Sequence, residues 1–235
     1  MSHTAIRRSA PSLARSNKQL SNNVVVVGLG RFGGAVAQSL SLLGHEVLAI
    51  EEDLALVQSW SDRLTHVVQA DASNIDALRR LGVADFQHAV VGIGNDVESS
   101  VLTVLALSEI GVPDIWAKAI SSNHGKILEK TGAHHVVYPE VAMGERVAHL
   151  VTGKMIDFIE FDDDFAIVKT RPPREALGKT LGESQIRTRH GVTVVGVKRP
   201  HEDFTYAKPG TLVADGDLLI ISGPTQQVER FAALL

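Results

Sequence analysis

The sequence predicts an α/β chain, with a doubly wound parallel sheet over residues 23–152 and a smaller α+β domain over 156–235. Three observations carry this expectation. Six strand-sized apolar runs alternate with six amphipathic stretches after Asn23. The first run turns through glycines straight into a helix. Beyond Met155 the pattern changes to strands with short helical inserts. Repeated strand–helix units close by right-handed crossovers, which gives a parallel sheet with helices on both faces.

In chain order, "VVVVG" reads as a strand buried on both faces. "RFGGAVAQSLSLLG" reads as a helix, with Ala35, Val36, Leu40 and Leu43 at helical spacing and Gly44 as its stop. "HEVLAIEED" is a strand and "LALVQSWSD" a helix; "THVVQAD" is a strand and "SNIDALRRLG" a helix. "QHAVVGIG", "DVESSVLTVLALSEIG", "DIWAKAI" and "NHGKILEKTG" continue the alternation. "HHVVY" is the sixth strand. "PEVAMGERVAHLVTG" is the sixth helix, with Pro139 in the first turn, where a missing N–H is harmless. Gly153 and Lys154 fall in the junction. "MIDFIEF" and "FAIVKTR" form a hairpin around Asp162–Asp164, and "PPREALGKTLGES" has loop and short-helix character. "VTVVGVKR", "DFTYA" and "DGDLLIISG" are strands, and "PTQQVERFAALL" is a closing helix.

Composition narrows the function. The net charge of −4 disfavours a nucleic-acid-binding role. The absence of cysteine excludes disulfides, thiolate zinc sites and cysteine nucleophiles. No apolar run approaches the roughly 20 residues of a membrane-spanning helix. Residues 1–22 are basic and serine-rich, with Arg7, Arg8, Arg15 and Lys18 and no acid. That composition admits a transit peptide and favours a disordered tail.

The chemistry concentrates at "GLGRFG". Gly28, Gly30 and Gly33 fit G-x-G-x-x-G between a strand and a helix, the context that makes the motif credible. Gly28 allows the tight turn, Gly30 admits phosphate to the backbone, and Gly33 lets helix and sheet approach. The helix N-terminus adds unpaired donors and positive potential. Glu51 lies about 20 residues further on, where a carboxylate accepts the ribose hydroxyls and repels a 2′-phosphate. Glu52 and Asp53 compete for that role or form a solvated strand end. "QADAS" and "GIGND" end the third and fourth strands, where ligands bind in open α/β sheets. Asp71, beside Ala72, contacts the base or caps the next helix, a role Ser73 also fits. Ile93, Gly94 and Asn95 line the cleft or form a simple turn.

Catalytic constellations are absent. The ten histidines are scattered, "YPEVA" lacks the lysine of a helical Tyr-x-x-x-Lys pair, and G-x-S-x-G, Walker and H-E-x-x-H motifs are missing. A binding and regulatory module explains the sequence better than an enzyme does. An NAD(H)-dependent oxidoreductase or NAD(H)-sensing regulator is the competing reading.

Several stretches together resemble the regulator of potassium conductance (RCK) family, also called KTN. They are "VVVVGLGRFGGAVAQSLSLLGHEVLAIE", "VVGIGNDVESSVLTVLAL", "IWAKA", "LEKTGA", "YPEVAMG", "IRTRHGVTVVGVKR" and "DGDLLIISG". The likeness covers everything after residue 22 and looks closest to the cytosolic Ktr/Trk-type gating subunits. It implies a Rossmann-like RCK N-domain and an RCK C-domain. It implies a dimer-based octameric ring beneath a membrane potassium-translocating subunit, at the inner face of the cell membrane. ATP or ADP, with NAD(H) less favoured, would bind the N-domain and change the ring. By this resemblance Gly28, Gly30, Phe32 and Gly33 belong to the phosphate loop, and Arg31 reaches the phosphates. Glu51 is the ribose acid, and Lys118 in "WAKA" lies near the nucleotide. Glu140 in "YPEVAMG" helps place a Mg, Ca or Na ion at the terminal phosphate across a dimer; an acid there also suits a helix start. Ile186, Arg187 and His190 fall where some relatives bind cyclic di-AMP.

Overall fold

The computed structural model describes residues 23–151, 155–161 and 164–234. The basic tail 1–22, the junction residues Gly153 and Lys154, and the hairpin residues Asp162 and Asp163 lie outside the described residues. The chain divides into two units, Met1–Pro139 and Glu140–Leu235.

In the first unit, β1 (Asn23–Val27) leads through Gly28–Gly30 into α1 (Arg31–Leu42). Then follow β2 (Glu46–Glu51), α2 (Leu54–Trp60), β3 (His66–Gln69) and α3 (Ile75–Arg80). The alternation continues with β4 (His88–Val91), α4 (Val97–Ile110), β5 (Asp114–Lys118), α5 (Ser122–Thr131) and β6 (His135–Val137). The six strands are parallel in the order β3-β2-β1-β4-β5-β6. This is the Rossmann-like order, in the doubly wound parallel sheet that the repeated crossovers predict. β1 is sandwiched: Val25 and Val27 belong to one core layer with Leu78, Val104 and Leu107, whereas Val24 and Val26 face Ala37 and Leu64. An unbroken valine run suits a strand with no solvent face.

Side chains set the helix starts. Asp53 caps α2, Asn74 caps α3, Asp96 caps α4 and Ser121 caps α5. One expectation is corrected here. Ser73 is not a cap, because α3 begins two residues later than expected and Asn74 accepts the N–H groups of Asp76 and Ala77. Asp53 accepts the Ala55 N–H as the cap of α2 and also lines the cleft described below, as does Glu52.

The second unit opens with α6 (Pro139–Val151). A five-stranded antiparallel sheet follows, in the order β10-β9-β11-β8-β7. Its strands are β7 (Asp157–Phe161), β8 (Phe165–Thr170), β9 (Thr193–Lys198), β10 (Phe204–Tyr206) and β11 (Leu218–Pro224). β7 and β8 form the expected hairpin, with Phe161 opposite Phe165. The short helices α7 (Leu181–Ser184) and α8 (Ile186–His190) are separated by Gln185 in the left-handed region, φ 50°. The closing helix α9 (Thr225–Ala232) presses Val228, Phe231 and Ala232 into a core with Val168, Leu219 and Ile221.

Candidate nucleotide-binding site

A cleft of about 260 Å3 opens where β1, β2 and β4 end. Its position follows from the strand order: β1 lies between β2 and β4, so the connections leaving it part to opposite sides. Gly28, Gly30, Glu51, Asp71, Ala72, Ile93 and Asn95 all line it. Seven expected residues, scattered over the chain, thus converge.

The glycines divide the labour as their geometry demands. Gly28 has φ +85°, which favours glycine. At Gly33 an added Cβ would stand 1.9 Å from the Gly28 carbonyl oxygen, so α1 packs against the loop only without a side chain there. At Gly30 a Cβ would meet nothing within 4 Å. That open space lies where a phosphate approaches the backbone, so the loop fits the group the motif implies. No side chain caps α1 and no acid stands in its first turn. Its first N–H groups are therefore available to an anion.

Arg31 and Phe32 form the first turn of α1, Arg31 exposed and Phe32 half-buried. Arg31 makes no ion pair among the described residues. Lys118 ends β5 with its ammonium against Gly94, where a Cβ would come within 3.0 Å of Nζ. Neither Gly94 nor Lys118 lines the cleft itself; they stand beside Ile93 and Asn95.

The carboxylates of the cleft largely hold its walls. Glu51 Oε2 accepts the Leu29 N–H at 2.6 Å, and Oε1 accepts those of Glu52 and Asp53 at 2.9 and 3.0 Å. A carboxylate offers about four acceptor positions, so one remains for a ribose hydroxyl. Asp71 accepts the Ser73 N–H and hydroxyl at 2.8 and 2.6 Å, closing its own turn. Asp96 accepts the Ser99 hydroxyl and N–H, and these bonds hold its carboxyl below the usual range. Among the described residues, no group of three or more His, Asp or Glu side chains is placed to hold a metal ion.

The sequence did not single out Gly92. A Cβ there would lie 2.9 Å from the Gly33 Cα and 3.1 Å from the Gly28 oxygen. Its place after the valine-rich β4 was the available signal. Leu56, Ser99 and Thr103 also line the cleft, and their helical positions carried no signal.

The remaining expected residues belong to the second unit. Glu140 is exposed in the first turn of α6. Ile186 and Arg187 line one cleft with Lys208 and Pro209. His190 does not join them. It bonds Glu175 at 3.0 Å, stands edge-on to Phe231 and lines a separate cleft. A five-residue helix presents its first and last residues to different surroundings.

Comparison with known proteins agrees with this geometry. Residues 24–139 match the TrkA-N domain model and 165–235 the TrkA-C domain model. The chain is 33% identical over 216 residues to Ktr system potassium uptake protein A of Bacillus subtilis, covering 92% of this chain and 96% of the relative. It is 35% identical over 207 residues to Ktr system potassium uptake protein C of that organism, covering 88% and 94%. Among solved structures, the GsuK RCK domain superposes with a TM-score of 0.62 at 18% identity, over 96% of this chain and 50% of that one. The GsuK channel bound to NAD gives 0.61 at 19% identity, over 97% of this chain and 41% of that one. These last two show the fold. With both domain models matched and two Ktr relatives aligned over nearly their whole length, the chain belongs to the TrkA-N/TrkA-C family, the RCK family of potassium-uptake proteins.

Proposed function

We propose that this chain is the nucleotide-binding regulatory subunit of a membrane potassium-translocating system, with ATP and ADP as its ligands. The observation that carries this reading is the meeting, at one cleft, of the glycine loop leading into the uncapped α1 N-terminus with the Glu51 carboxylate; Arg31, the first residue of α1, is exposed beside it. Arg31 favours ligands whose phosphates extend beyond the loop. Lys118 adds a second positive charge beside Gly94. In the cleft, Asp53, Asp71 and Asp96 are engaged in caps and turns. Nucleotides would then act only through different affinities for two states of a homo-oligomer.

The family resemblance extends the proposal to a dimer-based octameric ring at the inner face of the cell membrane. Glu140 would help hold a Mg, Ca or Na ion at the terminal phosphate. Ile186 and Arg187 would contact cyclic di-AMP without His190. Among the described residues no helix is long and apolar enough to cross a membrane, so a membrane role needs a partner. Co-expression with a membrane potassium-translocating subunit tests this. Co-purification of the two, with potassium flux that differs between ATP and ADP, is expected. A partner that passes the same flux with and without this chain contradicts it.

Glu51 also suits the adenosine ribose of NAD(H), so an NAD(H)-sensing or oxidoreductase role is the second reading. Ligand preference separates the two.

A further inference from the structure

We infer that the second unit carries an anion site, separate from the Ile186–Arg187 cleft, that takes a small phosphate-bearing ligand. A cleft of about 350 Å3 lies between the end of α8 and the helix α9. Arg189 and His190 line it from α8, and Gln227, Arg230 and Phe231 from α9.

Its charges are unbalanced. Glu175 is shared by Arg189, at 2.8 Å, and His190, at 3.0 Å. Hydrogen bonds from Arg189 and then His190 hold its carboxyl below the usual range. The carboxylate is therefore ionised, and His190 Nε2 is the donor to it. Arg230 has no ion pair among the described residues. Among the described residues, two guanidinium groups against one carboxylate leave one positive charge unmatched.

The groups are also held in place. The Glu175 pair fixes Arg189 while leaving several of its five N–H donors free. His190 stands edge-on to the buried Phe231, with ring centres 5.3 Å apart. The Gln227 amide lies against Gly191, where a Cβ would fall 2.1 Å from Oε1. Guanidinium forks bind tetrahedral oxyanions in bidentate fashion, and each such bond is charge-assisted. A phosphate group offers enough oxygens for both arginines, with the Gln227 amide as a neutral donor.

The test is calorimetry on the full chain with inorganic phosphate and, separately, ribose 5-phosphate. Saturable binding is expected, weakened about ten-fold or more by Arg230→Gln or Arg189→Gln. Arg187→Gln and Arg31→Ala should stay within about two-fold, because they belong to the other clefts. Arg230 is exposed, so its variant should fold, and circular dichroism checks this. Tighter binding of ribose 5-phosphate assigns the site to a phosphate ester; equal binding assigns it to the phosphate group alone. Absence of saturable binding with both probes overturns the inference. So does binding that Arg31→Ala removes and Arg230→Gln leaves intact.

Discussion

Glu51, at the end of β2, accepts the backbone N–H of Leu29 at 2.6 Å, tying the second strand to the glycine loop 22 positions earlier. The acid proposed for the ribose is thus also a brace of the glycine loop. Glu51→Ala should lower the unfolding free energy by about 1–3 kcal/mol, because it strands the Leu29 N–H and releases two more. Adenosine affinity should fall with it. Urea unfolding and adenosine titration check both, and unchanged stability would show that the brace carries no load.

The glycines should separate structure from binding. Gly33→Ala and Gly92→Ala force a Cβ against the loop backbone, at 1.9 Å and 2.9 Å, and should each cost about 1–3 kcal/mol or prevent folding. Gly30→Ala meets open space and should leave the melting temperature nearly unchanged while weakening nucleotide binding. Equal effects of Gly30→Ala and Gly33→Ala on thermal melting would refute this division.

Arg31→Ala should weaken ATP more than adenosine, by about ten-fold, with little effect on stability. Equal losses for both ligands would assign Arg31 to the fold. Glu140→Gln should reduce the magnesium or calcium dependence of ATP binding and spare ADP. Unchanged cation dependence would leave Glu140 only its place in a helical first turn.

His124, at the start of α5, is 2% exposed, and burial pushes its pKa below the ordinary value. Its Nδ1 accepts the Ile120 N–H at 3.4 Å, so the ring is neutral in the fold. The unfolded chain takes up this proton first as pH falls below about 6.5, so stability is present above that pH and declines below it. Melting curves from pH 8 to 5 should show the decline, and His124→Leu should flatten it. An acid limb identical in the two proteins would assign it to other groups.

The first unit was legible because each strand is a short apolar run and a glycine closely follows α1, α3, α4 and α5. The doubly wound parallel sheet followed from the repeated crossovers; its 3-2-1-4-5-6 order did not, since right-handed crossovers also build a 2-1-3-4-5 sheet. The cleft was legible because strand C-termini are adjacent in such a sheet, which brings Gly28, Glu51, Asp71 and Asn95 together. Gly92 was not, since its contact with Gly33 exists only once β1 and β4 are paired. The insertion of β11 between β8 and β9 has no local signal either. The break between α7 and α8 rests on Gln185 at φ 50°, a conformation glutamine does not advertise. His190 parts from Ile186 and Arg187 because it lies at the other end of the same short helix.

The central claim is that the cleft reads phosphate number on an adenine nucleotide. Calorimetry of the full chain with ATP, ADP, NAD and NADH tests it most directly. The account predicts that ATP and ADP bind more tightly than either dinucleotide, and that a divalent cation changes the ATP titration alone. Tight NADH binding with no detectable ATP binding would contradict it.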